Sequence, residues 1–463
     1  MKHRLASRAV AVAVAMIVSA CASFSPDGGM GEVRTLARER IGAPADGLGA
    51  SRDRVDTLLQ APLTADASVE VALINNAGLQ ARLADLGIAE ADLVQAGTLR
   101  NPVLAYTNKR NAEVVQIERS ILVNVAALVT MPLALEIEQR RLAQAKVAAA
   151  ADVIATAAMT REAYFRAVAA QEMVGYYAQV KVAAEAGRDL ARRMADAGNW
   201  NKLAQMREEL FYADATAQLA RAQQSAISER ERLIRMLGLR QSTALQLPAR
   251  LPDLPGAPMT LNAAEQTAMD ARLDVRLANL EAESVERTLG LTRATRFINV
   301  FEAGYVNETE TGDARKNGYE IAIELPLFDW GRARIARAEA QHRQALARAA
   351  ETEVGARSQV REGYAAYRAA YDLAKHYRDE VVPLRKRIVD ESTLRYNAMM
   401  IGVFELLADA REQVASVNAA IETTRDFWLA DTTLQLALAG SPDRAITSPS
   451  RTTSSPVATR QGH

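Results

Sequence analysis

The chain has 463 residues, with 56 Lys plus Arg balanced by 56 Asp plus Glu, so its formal net charge is zero. That balance, with no basic block, argues against a nucleic-acid binder held by general charge attraction. A single cysteine excludes an internal disulfide and a Cys-based zinc site. His3, His342, His376 and His463 never fall at metal-ligand spacing, and no Walker loop, HExxH or GxSxG is present. The composition disfavours an enzyme and implies no metal and no cofactor. Alanine makes up 91 residues and aromatics only 5%. Much alanine with few aromatics suits long, closely packed helices better than a large globular core.

In chain order, Lys2, His3, Arg4 and Arg8 form a basic head before an uncharged apolar run from Ala9 to Val18. About 20 residues are needed to span a bilayer as a helix, so this run fits a secretory signal instead. It ends in Val18-Ser19-Ala20-Cys21, which resembles a bacterial lipobox. That resemblance implies cleavage after residue 20 and acylation of Cys21, which anchors a chain by burying methylenes. An ordinary signal with Cys21 as a bystander is the other reading. Ala22 rather than Asp is compatible with outer-membrane sorting. Residues 21–66 read as a loosely structured leader, with Val55, Leu58, Leu59 and Leu63 as its main apolar anchors.

An internal repeat organises the rest of the chain. Leu79-Gln80-Ala81-Arg82-Leu83-Ala84-Asp85-Leu86 matches Leu273-Asp274-Val275-Arg276-Leu277-Ala278-Asn279-Leu280, and Met131-Pro132-Leu133 matches Leu325-Pro326-Leu327. Later, Arg161-Glu162-Ala163-Tyr164 matches Arg361-Glu362-Gly363-Tyr364, and Tyr177 matches Tyr377. The period far exceeds that of solenoids, so it reads as a duplicated half-molecule, 67–245 and 261–440. Each half begins with a predicted helix, about Val69 to Leu99 and about Leu261 to Thr295. Two alternating segments come next. In the first half Val115, Ile117, Ile121, Val123, Val125 and Val129 alternate with polar residues, Arg119 breaking the apolar side; Pro102 opens the preceding strand. In the second half Phe301, Ala303 and Tyr305 form one row, and Tyr319, Ile321, Ile323 and Leu325 another. Period two means one apolar and one polar face. On their own these segments would equally suit half-buried hairpins of a soluble protein.

No proline occurs between Pro132 and Pro248. The stretch reads as a very long helix, a turn at Gly198-Asn199-Trp200-Asn201, and a helix of half that length. The second half predicts a helix from about Asp329 to Met399, kinked at Pro383, a turn near Met400 to Val403, and a helix to Leu438. Lengths suggest that short helices stack end to end beside each long one: Val69–Leu99 with Phe404–Leu438, and Lys202–Leu237 with Leu261–Thr295. The connector 246–260, with Pro248, Pro252, Pro255 and Pro258, would then belt the rod halfway. The tail 441–463 is Ser-, Thr- and Pro-rich and reads as disordered.

The run Tyr319-Glu-Ile-Ala-Ile-Glu-Leu-Pro-Leu-Phe-Asp-Trp-Gly-Arg to Glu339 resembles the strand-to-helix junction of TolC-family outer-membrane efflux proteins, where Pro-Leu-Phe-Asp and Gly-Arg precede the long helix. Asn101-Pro102 and the segment from Phe404 to Arg411 are similar to two further signatures of that family. The first half departs from it, lacking the Phe-Asp-x-Gly element, and Met399 stands where the second turn usually has Gly.

The resemblance implies a mainly α chain with a membrane β-barrel: duplicated helix–strand–strand–helix halves, a homotrimeric twelve-stranded barrel, and a periplasmic α-helical barrel below it. It implies an outer-membrane location and two partners, a periplasmic adaptor and an inner-membrane pump. On this reading Glu118, Glu320 and Glu324 line the lumen. Tyr319, Phe328 and Trp330 anchor at the periplasmic side of outer-membrane lipid. Glu405 and Asp409, four residues apart on one helix face, ring a periplasmic aperture, with Arg395 or Arg411 as pairing partners. Gly198, Asn199, Trp200, Met399, Met400 and Gly402 form the adaptor-contact tips. The expected work is passive exit of small toxic compounds or metal ions. A duct for protein secretion, a periplasmic coiled-coil scaffold lipoprotein, and a cell-envelope enzyme are the alternatives.

Overall fold

A computed structural model describes residues 23–240, 245–260, 272–296 and 301–440. The signal, Cys21, the start of the second half's first helix and the tail lie outside the described residues. The first half comprises α3 (Ala65–Asn75), α4 (Ala77–Ala96), β1 (Val103–Arg110), β2 (Val115–Asn124), α5 (Val125–Asp196) and α6 (Lys202–Leu237). The second comprises α7 (Leu273–Ala294), β3 (Phe301–Glu310), β4 (Lys316–Ile323), α8 (Arg332–His376), α9 (Val382–Asn397) and α10 (Val403–Ala439). A π-helical turn, Tyr377–Val381, joins α8 to α9. The same order of elements appears twice, as the repeat requires.

At 1.5 Å per residue the 72 residues of α5 reach about 110 Å. Their alanines explain the packing: Ala149, Ala150, Ala151, Ala157 and Ala163 are buried and let neighbouring backbones approach. The predicted strand running to Val129 is corrected by the structure. Asn124 caps α5 by accepting a hydrogen bond from the amide of Ala127 at 2.7 Å, so Val125 and Val129 are helical and Pro132 lies inside the helix. The Ala126-Ala127-Leu128 run favours helix once the cap is set. In the second half the matching Leu325-Pro326-Leu327 stays non-helical, and α8 begins only after Gly331, which adopts φ 72°. At Pro383 the helix continues through the π turn, which lies where proline's missing N–H breaks the hydrogen-bond ladder.

The leader is not loose. It forms α1 (Met30–Ile41), a 3-10 turn (Ala43–Gly47) and α2 (Arg52–Leu58). Val33, Leu36, Ala37 and Ile41 bury against α4 and α5, in one cluster with Leu79, Leu86 and Val147. Val55 and Leu63 are buried in a second cluster, with Leu58 and Leu59 packed on it. The predicted helix 69–99 is broken at Asn76, whose side chain caps α4 by accepting from the amide of Leu79.

Those asparagines also determine which short helices meet. Asn75 donates to the carbonyl of Gly238 at 2.6 Å and Asn76 to that of Met236 at 2.8 Å, so the end of α6 abuts the start of α4. In the second half Arg272 donates to the carbonyl of Ala437, so the end of α10 abuts α7. End-to-end stacking therefore occurs, but the partners are exchanged from the length-based expectation. Length is blind to partner choice because the short helices of the two halves nearly match. The lateral order follows from the packing: α4 and α6 lie along α5, α7 and α10 lie between α5 and α8, and α10 continues along α9.

The connector lies across the middle of the helices, held by side chains from α5, α8 and α10. Glu172 accepts from the amide of Leu251 at 2.9 Å, Trp428 donates to the carbonyl of Pro252 at 3.0 Å, and Tyr371 donates to that of Pro255 at 3.0 Å. Burial holds the Glu172 carboxyl above the usual range. The matched tyrosines of the repeat do one job twice. Tyr164 donates to the carbonyl of Leu63, just before α3, and Tyr364 to that of Met259, near the end of the connector. Burial pushes the Tyr164 hydroxyl up to about 12, so it stays a donor.

Arg272 is 1% exposed. It is paired with Asp274 at 2.6 Å and bonded to the carbonyls of Ala356 and Ala437 and to Gln359. Removing one partner of a buried ion pair leaves the other uncompensated and costs about 3–5 kcal/mol. Arg272→Leu should therefore lower the thermal unfolding midpoint markedly, measured by circular dichroism in detergent. The exposed control Arg357→Leu, a surface pair with Glu353, should leave it within a degree or two, since such pairs contribute little.

Candidate channel wall and tips

Among the described residues the strands form one antiparallel sheet in the order β1-β2-β3-β4. The halves join where β2 pairs with β3, Ser120 opposite Val306. Register places Leu104, Ile121, Tyr305 and Tyr319 in one cross-strand row. Val123, Ala303 and Ile321 form the next, and Phe301 faces Ile323. These belong to one apolar face that no described residue covers: Ile121, Tyr305, Tyr319, Ile321 and Ile323 are all exposed. Arg119, the apparent flaw in that face, sits in a row with Tyr106, Asn307 and Asn317, and the two asparagines bond to each other at 2.6 Å. The other face carries Gln116, Glu118, Ser120, Glu302, Glu308, Glu310 and Glu320. Gln116 donates to Glu308 there, and Lys316 bonds Glu310 at 3.3 Å.

Glu118 and Glu320 thus share the polar face; Glu324 lies one residue beyond the end of β4. Phe328 and Trp330 lie in the segment between β4 and α8. Tyr319 does not accompany them. It sits within β4, four residues or about 13 Å before the helical end, and packs edge-on against Tyr305 at 6.1 Å. The period-two pattern marks a face but carries no depth, so it cannot separate Tyr319 from the junction.

At the far end of the helices are two turns. Gly198 closes α5 with φ 75°, and Asn201 caps α6 by accepting from Ala204. Met399 takes the matching left-handed conformation at φ 58°, a position that favours glycine. Met399 is 94% and Met400 73% exposed. Trp200 is half-buried rather than free, stacked on Phe404 at 4.8 Å and 17°. That contact ties the α5–α6 turn to the start of α10. Gly402 provides the N-cap of α10.

Glu405 is exposed in the first turn of α10, where the helix dipole favours an acid. Asp409 is half-buried and accepts from the hydroxyl of Ser392 on α9. The expected arginine partners are corrected. Arg395 pairs with Glu391 at 2.9 Å, one turn back on its own helix, and Arg411 pairs with Glu208 at 2.5 Å. Glu208 is 1% exposed, and the Arg411 guanidinium lies 4.7 Å from the Phe211 ring centroid. This pair crosses from α6 to α10 and escapes motif reading. Its signal is nonetheless present: Ala204, Glu208, Phe211, Ala215 and Ala222 fall at the four-then-three spacing of a coiled-coil seam, so a carboxylate stands at a core position.

Residues 264–440 match the model of a protein family described as outer membrane efflux protein. No curated protein sequence matches the chain. Solved structures share its fold. A membrane protein from Pseudomonas aeruginosa is 20% identical with a TM-score of 0.70, over 81% of this chain and 93% of that one. The outer membrane protein VceC from Vibrio cholerae is 16% identical with a TM-score of 0.67, over 82% and 97%. The open state of the Neisseria gonorrhoeae MtrE outer membrane channel is 17% identical with a TM-score of 0.68, over 81% and 89%. The chain thus has the fold of the outer-membrane channels. Within it, residues 264–440 are an outer membrane efflux protein domain.

Stacked aromatic pairs contribute about 0.5–1.5 kcal/mol beyond the area they bury. Trp200→Ala should free the second tip, read as faster amide hydrogen exchange across residues 399–404 with exchange in the middle of α5 unchanged. Unaltered exchange there would show that the stack does not hold the tips together.

Proposed function

We propose that the chain assembles as a homotrimeric outer-membrane channel of a tripartite efflux system, working with a periplasmic adaptor and an inner-membrane pump. The observation that carries this reading is the four-stranded sheet with one apolar face, one polar face and two open edges, set on helices about 100 Å long. Open edges are not tolerated in lipid, because their backbone groups have no partner there. Three copies close a twelve-stranded barrel without an edge and wide enough for a water-filled lumen. The apolar face with Tyr319 then meets lipid, Trp330 lies near the periplasmic interface, and Glu118, Glu320 and Glu324 line the lumen. Acylated Cys21 adds a second hold on the outer membrane.

The helices continue the duct to the tips. Gly198, Asn199, Trp200, Met399, Met400 and Gly402 face the adaptor, with the exposed methionines supplying an adaptable apolar contact. Glu405 and Asp409, tripled by symmetry, place carboxylates around a narrow aperture, which favours cations. The cargo is small toxic compounds or metal ions handed on by the pump. The lipobox-like start favours this over a protein-secretion duct.

Purified protein in a planar bilayer should pass current as a trimer that migrates heat-modifiably on gels. Glu405→Ala with Asp409→Ala should raise leak conductance or reduce cation over anion selectivity. Equal conductance and selectivity in the double variant would remove these residues from the aperture, and a monomeric rod passing no current would end the channel reading.

A further inference from the structure

The two open edges of the sheet are unlike. β1 starts at the helical end of the sheet and runs away from it; β4 runs back towards it. A second copy placed with its β4 along this β1 therefore forms an antiparallel pair, continuing the pattern of the other three. That placement sets the segment after β4 of one protomer beside the segment before β1 of the next. Each segment carries something that its own chain leaves unmatched.

Before β1 lies a cleft of about 770 Å³ between the end of α4 and the start of α5. Leu99, Pro102, Ala127, Leu128 and Met131 form an apolar patch in its wall, and Asp92, Arg100, Glu138 and Arg141 line the rest. Leu99 and Leu128 are exposed in the single chain. After β4 comes Leu325-Pro326-Leu327-Phe328, in which Phe328 is 97% exposed. The loop is held in shape. Leu327 donates its amide to the carbonyl of Leu325 at 2.8 Å, a tight three-residue turn. Asp329 accepts from the amide of Gly331 at 2.8 Å, and Gly331 lies so close to Arg296 that an added Cβ would meet its carbonyl oxygen at 3.1 Å. The turn ends the alternation of β4, so strand register does not set which way Phe328 faces.

We propose that Phe328 of each protomer seats on the apolar patch of the cleft beneath β1 of the adjoining protomer, locking the junction between sheet and helices around the assembly. This rests on the homotrimer proposed above. The physical reasons are a hydrogen-bonded loop presenting an uncovered ring, a recess with an apolar patch at the opposite edge, and a strand direction that brings the two together. Burying an aromatic ring removes about 150–250 Å² from water, and a pre-shaped loop loses little freedom in doing so. The cleft exceeds one ring in volume, so Leu327 enters with it.

The test uses the full-length chain, whose one natural cysteine is Cys21. Phe328→Cys combined with Leu128→Cys, and separately with Leu99→Cys, is oxidised mildly in native membranes and run on non-reducing gels. The expected result is covalent dimers and trimers from at least one double variant and none from any of the three single variants. Native mass spectrometry of the same samples gives the subunit count. A trimer with no cross-link from either pair, and with Phe328→Cys alkylated by a lipid-soluble maleimide, would put the side chain in lipid and overturn the inference while leaving the channel intact. A monomer by mass would overturn both. Phe328→Ala gives a second readout: the trimer should fall apart at a lower temperature in detergent, and an unchanged dissociation temperature would count against the seat.

Discussion

Everything in this molecule is arranged around the backbone groups at the two edges of a small sheet. Four antiparallel strands satisfy one another internally but leave the outer sides of β1 and β4 without partners among the described residues. With an uncovered apolar face, such a sheet is suited neither to water nor, alone, to lipid. Only association that closes the edges resolves both problems at once. The duplication supplies half of that closure within the chain, since β2 of one half pairs with β3 of the other.

The helices meet a different constraint. A rod of about 100 Å has little volume per unit length in which to bury a core, so its stability is distributed. Alanine seams bring helices close, and polar ties appear where chains of helices end or cross. Asn75 and Asn76 close the break between α4 and α6, while Arg272 and Asp274 close that between α7 and α10. Tyrosines and Trp428 strap the connector at mid-height. Glu208 and Arg411 cross between helices near the tips. A buried ion pair is a weak source of net stability, but at a coiled-coil core position it specifies one register over its neighbours.

Much of this is legible from residue order. The repeat locates both halves, and the repeated Arg-Glu-x-Tyr marks a tyrosine that does the same work twice. Alternation separates Glu118 and Glu320 from Ile121 and Tyr305. Met399 stands in a glycine's place, and it adopts φ 58°. The failures share a cause. The leader's Val33, Leu36, Ala37 and Ile41 have a helical pattern too short to stand alone, and only the surface of α5 makes it a helix. Sequence proximity assigns Arg411 to the acids beside it, but Glu208, 203 residues away, is its neighbour in space.

What the sequence alone determined is therefore the periodic content: the order of the long helices and the strands, which face of the sheet is apolar, and that the pattern occurs twice. Those properties follow from local steric preference and side-chain alternation, which a linear reading contains. Tertiary structure decided which short helix follows which, how deep each aromatic sits along its strand, and which charge meets which. Those depend on contacts between residues far apart in the chain, and neither length nor period carries that information.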